Sequence, residues 1–180
     1  SFSVLIPKGW ILVITFIILS PILGFILGYM NMVIASVLFR SAKPRKVDKL
    51  FRKLQLVSAG LYSLGHGAND AQKTMGIIVV LLTNAGYKQW TDGNFHLFGR
   101  HHSYALWIIL SCYTAIGLGT LSGGWRIVKT MGSRITRLQP FGGFCAEAAG
   151  ATTLIGAAHF GIPISTTHTI TGAILGVGSA

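Results

Sequence analysis

Charged side chains are scarce in this sequence. They make up 11% of the 180 residues, less than half of the roughly 25% that is typical of soluble domains. Acidic residues are the scarcest, with 4 Asp and Glu against 15 Lys and Arg. Hydrophobic residues reach 51%, and this composition excludes both a soluble globular enzyme and a disordered chain. Because the basic residues are clustered, the formal net charge of +11 indicates membrane topology rather than nucleic-acid binding.

Residues that could hold a metal ion or form a disulfide framework are also few. The two cysteines, Cys112 and Cys145, lie in apolar stretches without CxxC spacing, which is typical of small buried hydrophobic residues. His96, His101 and His102 lie in a polar segment without acidic residues at ligand spacing. We therefore predict no resident metal and no other resident cofactor.

Long uncharged runs are what the sequence has instead. Residues 10–39 contain no charge, and as a helix they would be about 45 Å long, against a bilayer core of about 30 Å. This predicts a tilted or kinked spanning helix, with Pro21, Gly24 and Gly28 available at the bend. Residues 103–124 form a second uncharged run that is long enough to span.

Basic residues concentrate in two segments that we interpret as loops, 40–53 with 7 Lys and Arg and 123–140 with 4. The polar segment between the spans, 87–102, has 2. The positive-inside rule places both basic loops on the cytoplasmic side and the N-terminus outside. The sequence therefore predicts a multi-pass protein of the cell (inner or plasma) membrane.

Residues 54–86 are apolar at both ends and polar in the middle. The polar part contains Gly65, His66, Gly67, Asn69, Asp70, Gln72 and Lys73. Inserting a carboxylate at the bilayer centre costs about 2.5 to 3.5 kcal/mol on insertion scales. We therefore expect Asp70 either to pair with a compensating group or to have a function. We predict a broken helix whose polar groups face a site, and the alternative is a kink in which Asp70 pairs with Lys73.

The last apolar stretch, 141–180, is interrupted at Pro163-Ile-Ser-Thr-Thr-His168. We predict two half-helices meeting at Pro163, and hydropathy leaves open whether they form a re-entrant hairpin or two crossings. A proline in the first turn and hydroxyls at the cap positions predict a helix start that offers N–H groups to an oxyanion. The alternative is an ordinary N-cap within a helical hairpin.

Three further residues are candidates for moving protons. Glu147 is the only acid in the final 40 residues, and it either carries a coupling proton or lies at the membrane interface paired with Arg134 or Arg137. His66 and His168 lie inside the two polar breaks and are candidates for proton handling.

Gly67-Ala-Asn-Asp70 and Pro163-Ile-Ser-Thr-Thr-His168, with Glu147 between them, resemble the two signatures of the inorganic phosphate transporter (PiT) family. The resemblance covers nearly the whole chain. It implies an all-α integral membrane fold of two inverted repeats with broken or re-entrant half-helices. Residues 1–180 would then be a single transmembrane domain, the second repeat, truncated after its second break. Its partners would be the first repeat of the same polypeptide and membrane lipid, with a homodimer left open.

This resemblance implies that inorganic phosphate is the substrate, and it indicates which residues bind the phosphate and its coupling cation. The substrate-binding positions would be Asn69, Asp70, Ser165, Thr166 and Thr167. The resemblance also implies roles in transport for His66 and Glu147, and to these coupling candidates we add Gln72, Lys73 and His168 from their place in the two polar segments. Phosphate at neutral pH keeps a proton that it can donate to the Asp70 carboxylate, whereas sulfate has none. A permease for sulfate or another oxyanion remains the alternative.

One position departs from the family pattern, because Lys73 stands where many members have Asn. A fixed ammonium could replace a bound sodium ion, so we predict proton-coupled symport by alternating access, with sodium coupling as the alternative. Phosphate could travel with a divalent metal as a neutral complex.

The chain lacks HExxH, a nucleophile elbow and a P-loop, so we do not expect an enzyme. An anion channel and a membrane assembly subunit are further alternatives.

Overall fold

The computed structural model describes residues 7–97, 100–130, 138–162 and 164–180. Five α-helices dominate these residues: α1 (Pro7–Phe39), α2 (Pro44–Asn84), α3 (Leu106–Lys129), α4 (Pro140–His159) and α5 (Thr166–Ser179). A short 3-10 helix (Lys88–Trp90) and an antiparallel hairpin of β1 (Asp92–Leu97) and β2 (Arg100–Tyr104) lie between α2 and α3. The fold is therefore almost entirely helical, as the sequence predicts.

Two of these helices are long and apolar enough to cross a membrane, by length and composition. They are Ile11–Phe39 within α1, with 29 residues, and Leu106–Arg126 within α3, with 21. Most of their apolar side chains lie on the surface of the chain, as lipid-facing side chains do. The two uncharged runs of the sequence are confirmed as helices.

The chain divides into two compact units, and the boundary falls within α2. One unit is Gly67–Trp125, and the other consists of the residues before and after it. In the unit formed by the residues before and after Gly67–Trp125, α4 and α5 pack antiparallel through small side chains. Their shared core consists of Cys145, Ala146, Ala149, Ala173, Ile174 and Val177. The stretch 141–180 thus contains two helices, as the sequence predicts, and α5 already includes residues 166–168.

The α1 and α5 helices run parallel and approach each other closely at glycines. A Cβ atom on Gly24 or Gly28 would collide with the α5 backbone, and one on Gly172 or Gly176 would collide with the α1 backbone. Both pairs have the GxxxG spacing that lets membrane helices pack backbone to backbone. Gly24 and Gly28 therefore serve this packing, and α1 continues through Pro21 as one helix.

The break between α4 and α5 begins at a glycine. Gly161 has a φ of 66°, in the left-handed region where glycine carries no Cβ penalty. The Ile162 N–H donates to the Ala157 carbonyl oxygen at 2.9 Å and closes a Schellman-type end to α4. Helix α5 begins at Thr166, so its first turn does not contain position 163. Pro163, on which we placed the break, lies outside the described residues.

The predicted break in the middle of 54–86 is wrong. Helix α2 is continuous for 41 residues, through Gly65 and on past Lys73. Gly65 is buried against Leu154 of α4, with its hypothetical Cβ 3.3 Å from the Leu154 Cβ. It therefore provides close helix packing instead of an unwound turn. A helical glycine costs only about 1 kcal/mol relative to alanine, which tertiary packing can offset.

The predicted basic loops are also partly wrong. Only residues 40–43 separate α1 from α2, and the rest of 40–53 is the first part of α2. Within it the Arg52 Nε donates to Asp48 Oδ2 at 2.8 Å, an exposed i,i+4 pair that supports a helix. Helix α3 likewise extends to Lys129. Arg134 and Arg137 lie outside the described residues.

The unit Gly67–Trp125 has a small core of its own between the second part of α2 and α3. It consists of Ala71, Met75, Ile108, Ile109 and Cys112. The Trp107 indole N–H donates to the Trp90 carbonyl oxygen at 3.0 Å. The Ala105 N–H donates to the carbonyl oxygen of the buried Thr91 at 2.9 Å. These bonds attach the polar segment between α2 and α3 to the start of α3. The β1–β2 hairpin within this segment was not predicted from the sequence.

Candidate functional site

The polar stretch of α2 presents a buried amide beside an ion pair. Asn69 is 6% exposed. The Lys73 Nζ donates to Asp70 Oδ1 at 3.1 Å, with the Asp70 and Lys73 side chains 34% and 48% exposed. A spacing of three residues brings the two charges together on one helix face. The helix thus places a carboxylate, an ammonium and an amide within two turns, and Gln72 lies half-buried among them.

The start of α5 confirms the predicted hydroxyl cap. Ser165 is the N-cap residue, and its Oγ accepts a hydrogen bond from the His168 N–H at 3.4 Å. Thr166 is 4% exposed, whereas Thr167 and His168 are exposed. The first backbone bond of the helix runs from Thr169 N to Ser165 O, so the dipole and the preceding N–H groups are directed at the break.

Glu147, on α4, is held by neutral side chains of α2. The Ser58 Oγ donates to Glu147 Oε2 at 2.6 Å, and Gln55 forms a second side-chain hydrogen bond to the same carboxyl. Glu147 forms no ion pair with any residue that the structure describes. The alternative pairing with Arg134 or Arg137 involves residues outside the described ranges.

Helix α2 carries a row of polar side chains along one face in the unit that contains α4 and α5. Ser58 contacts Glu147, and one turn later the Tyr62 hydroxyl donates to the Thr166 carbonyl oxygen at 3.5 Å. The ring of His66, a further turn along, lies edge-on to Tyr62 with centroids 6.0 Å apart. Three successive turns of α2 thus place polar side chains against the α4 carboxylate, the start of α5 and each other in turn: Ser58 at Glu147, Tyr62 at Thr166, and His66 at Tyr62.

The structure brings some of the predicted site residues together and separates others. Ser165 and Thr166 lie at one helix start, Asp70 and Lys73 form one pair, and Glu147 belongs to neither cluster. Asn69, Asp70, Gln72 and Lys73 belong to the unit Gly67–Trp125, and the other predicted site residues belong to the unit around it. Sequence reasoning missed Gln55, Ser58 and Tyr62. Their polar character at three- and four-residue spacing within an apolar stretch is the signal that could have identified them.

Comparison with known proteins identifies relatives along the whole chain. The model of the family described as "Phosphate transporter family" matches residues 2–180. A protein of Rhizobium meliloti named "Probable low-affinity inorganic phosphate transporter" is 53% identical over all 180 residues. A Bacillus subtilis protein of the same name is 41% identical over the same length. A Mycobacterium leprae protein of that name is 37% identical over 161 residues, or 89% of this chain.

These relatives are longer than the chain. The chain covers 51% of the Rhizobium and Bacillus proteins and 37% of the Mycobacterium protein. It therefore spans about half the length, or less, of these relatives. No solved structure matches it. The relatives are named as transporters rather than enzymes, and the family match extends over both units of the chain. The chain belongs to the phosphate transporter family.

Proposed function

We propose that the full-length protein that carries this chain moves inorganic phosphate across the cell membrane as a secondary transporter. The observation that carries the proposal is the start of α5, where Ser165 caps the helix beside the buried Thr166, in a chain of the phosphate transporter family. A helix N-terminus with adjacent hydroxyls offers N–H and O–H donors to an oxyanion. The names of the bacterial relatives, which specify inorganic phosphate, support the same substrate.

The proposed substrate-binding residues are those of the two polar clusters, each described within its own unit. Ser165, Thr166 and Thr167 supply donors to the phosphate oxygens, and Asn69 supplies an amide. The Asp70 carboxylate accepts a hydrogen bond from the O–H that phosphate retains at neutral pH, which favours phosphate over sulfate because sulfate has no such proton. Inorganic phosphate, alone or as a neutral complex with a divalent metal, is the proposed cargo.

The proposed coupling ion is the proton. The Lys73 ammonium lies 3.1 Å from the Asp70 carboxylate and supplies the positive charge that a sodium ion would otherwise supply there. Glu147, held by neutral groups, is the proposed proton carrier, because no described cation fixes it in the ionised form. His66, Gln72 and His168 are the remaining proposed coupling residues.

The proposed setting is a multi-pass protein of the inner or plasma membrane. The basic segments 40–53 and 123–140 face the cytoplasm by the positive-inside rule. This chain is the second of two inverted repeats, and the first repeat of the same polypeptide completes the site. Alternating access then follows from movement of one repeat against the other around a site near the midplane.

The test is labelled phosphate uptake into vesicles that contain the full-length protein. Proton and sodium gradients are imposed separately, and excess sulfate is added as a competitor. We expect saturable uptake against a gradient, driven by protons and resistant to sulfate. Uptake abolished by sulfate would change the substrate, uptake that requires sodium and ignores the proton gradient would change the coupling ion, and non-saturable flux would indicate a channel.

A further inference from the structure

Ser58 has two hydrogen-bond acceptors within reach and only one proton to donate. Its side chain is 3% exposed, and its Oγ lies 2.6 Å from Glu147 Oε2 and 3.0 Å from the backbone carbonyl oxygen of Gln55. A serine hydroxyl donates one hydrogen bond and accepts up to two. When Ser58 donates to Glu147, it makes no hydrogen bond to the Gln55 carbonyl oxygen. When it donates to that carbonyl oxygen instead, its Oγ can accept a hydrogen bond from a protonated Glu147.

This arrangement can satisfy Glu147 in either protonation state. With Glu147 ionised, the Ser58 O–H donates to the carboxylate. With Glu147 protonated, the acid O–H donates to Ser58 Oγ, and the Ser58 proton turns to the Gln55 carbonyl oxygen. Neither state leaves a buried polar group without a partner, and an unsatisfied buried group would cost about 1 to 3 kcal/mol.

The surrounding packing holds these groups in place. A Cβ atom on Gly143 would collide with the Gln55 side-chain amide, so glycine at this position makes room for Gln55. Gly143 lies one turn before Glu147 on α4, and Gln55 lies one turn before Ser58 on α2. The second hydrogen bond, from Gln55 to Glu147, holds the carboxyl between the two α2 residues.

We propose that Ser58 is a positioning residue for coupling, which holds Glu147 in its ionised form and its protonated form in turn. The inference rests on the proposed function, in which Glu147 carries the coupling proton. It adds Ser58, supported by Gln55, as the group that allows the proton to load and unload without moving the helices.

The experiment compares two transport readouts in vesicles that contain the full-length protein. The first is net phosphate uptake driven by an imposed proton gradient, and the second is exchange of labelled for unlabelled phosphate without a gradient. The variants are Ser58→Ala, Ser58→Thr and Glu147→Gln. The matched control is Ser20→Ala, because Ser20 is a fully buried serine whose hydroxyl has no hydrogen-bond partner among the described residues.

We expect Ser58→Ala to lower net uptake by about tenfold, the size of a lost hydrogen bond to a charged group. Phosphate exchange should stay near the wild-type rate, since substrate binding does not involve Ser58. Ser58→Thr, which keeps a hydroxyl, should restore net uptake, and Ser20→Ala should match the wild type in both readouts.

Other results would overturn the inference. Wild-type net uptake in Ser58→Ala would show that the hydroxyl plays no part in coupling. An equal loss of both readouts that Ser58→Thr does not restore would show a purely structural role. Absence of phosphate uptake by the wild type would instead overturn the proposed function, and unchanged net uptake in Glu147→Gln would overturn the role of Glu147, in each case together with this inference.

Discussion

Asp70 and Glu147 are two of the four acidic residues in the chain, and the fold holds them in opposite ways. Asp70 pairs with the Lys73 ammonium on its own helix, at 3.1 Å. Glu147 receives hydrogen bonds from the neutral side chains of Ser58 and Gln55 on another helix. A nearby cation favours the ionised form of a carboxyl, whereas neutral hydroxyl and amide groups can bond to either form. We infer from this difference that Glu147, rather than Asp70, carries the coupling proton.

The packing of α5, which shares a core with the helix that carries Glu147, can be broken without changing either acid. Gly172→Val places side-chain atoms against the Pro21 carbonyl of α1, where a Cβ already collides with backbone. Because backbone cannot move aside cheaply, we expect a cost of about 3 kcal/mol or more and loss of folded protein. The measurement is the yield of detergent-extracted protein that elutes as a single species.

The matched control is Gly60→Ala on α2, where a Cβ would meet no atom within 4 Å. It should give a wild-type yield, because alanine is the better helix former. A normal yield for Gly172→Val would show that the close α1–α5 packing is not required for folding.

Removing the Asp70 carboxylate should have the largest effect on transport itself. Asp70→Asn leaves the Lys73 ammonium without its carboxylate and removes the acceptor for the phosphate proton. We expect normal membrane insertion and a loss of about tenfold to a hundredfold in uptake, the scale of a lost charge-assisted hydrogen bond. Failure to insert or fold would support a purely structural ion pair in a helix.

The hydroxyls at the start of α5 should affect substrate affinity rather than folding. Thr166→Val keeps the shape of the buried side chain and removes its hydroxyl. We expect the phosphate concentration for half-maximal uptake to rise about tenfold, with unchanged membrane yield. The neighbouring Thr171→Val, further along α5, serves as a control. Wild-type affinity in Thr166→Val would remove this residue from the site.

The smallest expected effect concerns the choice of cation. Lys73→Asn removes the fixed ammonium beside Asp70 and should shift uptake from dependence on a proton gradient towards dependence on sodium. The total rate with both gradients present should stay within about tenfold of the wild type, because the carboxylate remains. Unchanged proton dependence, with no response to sodium, would contradict the proposed role of Lys73.

Much of the fold was predictable from local composition. The uncharged runs predicted α1 and α3, because crossing a bilayer requires long apolar helices. The serine and threonine residues at 165–167 predicted the start of α5, because hydroxyls cap orphan N–H groups. The Asp70–Lys73 pair was foreseen as an alternative, because residues three apart share a helix face.

The rest depends on contacts between distant residues. The glycines near Asp70 indicated a break, yet Gly65 lies in a continuous helix because Leu154 packs on it, and the sequence does not show that contact. The bond between Ser58 and Glu147 joins residues 89 positions apart. The sequence indicates Glu147 as a candidate, but the identity of its partner depends on how α2 and α4 pack together.

The most direct measurement of the central claim compares Asp70→Asn with Glu147→Gln in vesicles that contain the full-length protein. Proton-driven net uptake and phosphate exchange are recorded for both variants. If Asp70 binds the substrate, Asp70→Asn should lose both activities. If Glu147 carries the coupling proton, Glu147→Gln should lose net uptake but keep exchange. If Glu147→Gln also lost exchange, or kept proton-driven uptake, the distinction between the two carboxylates would be wrong.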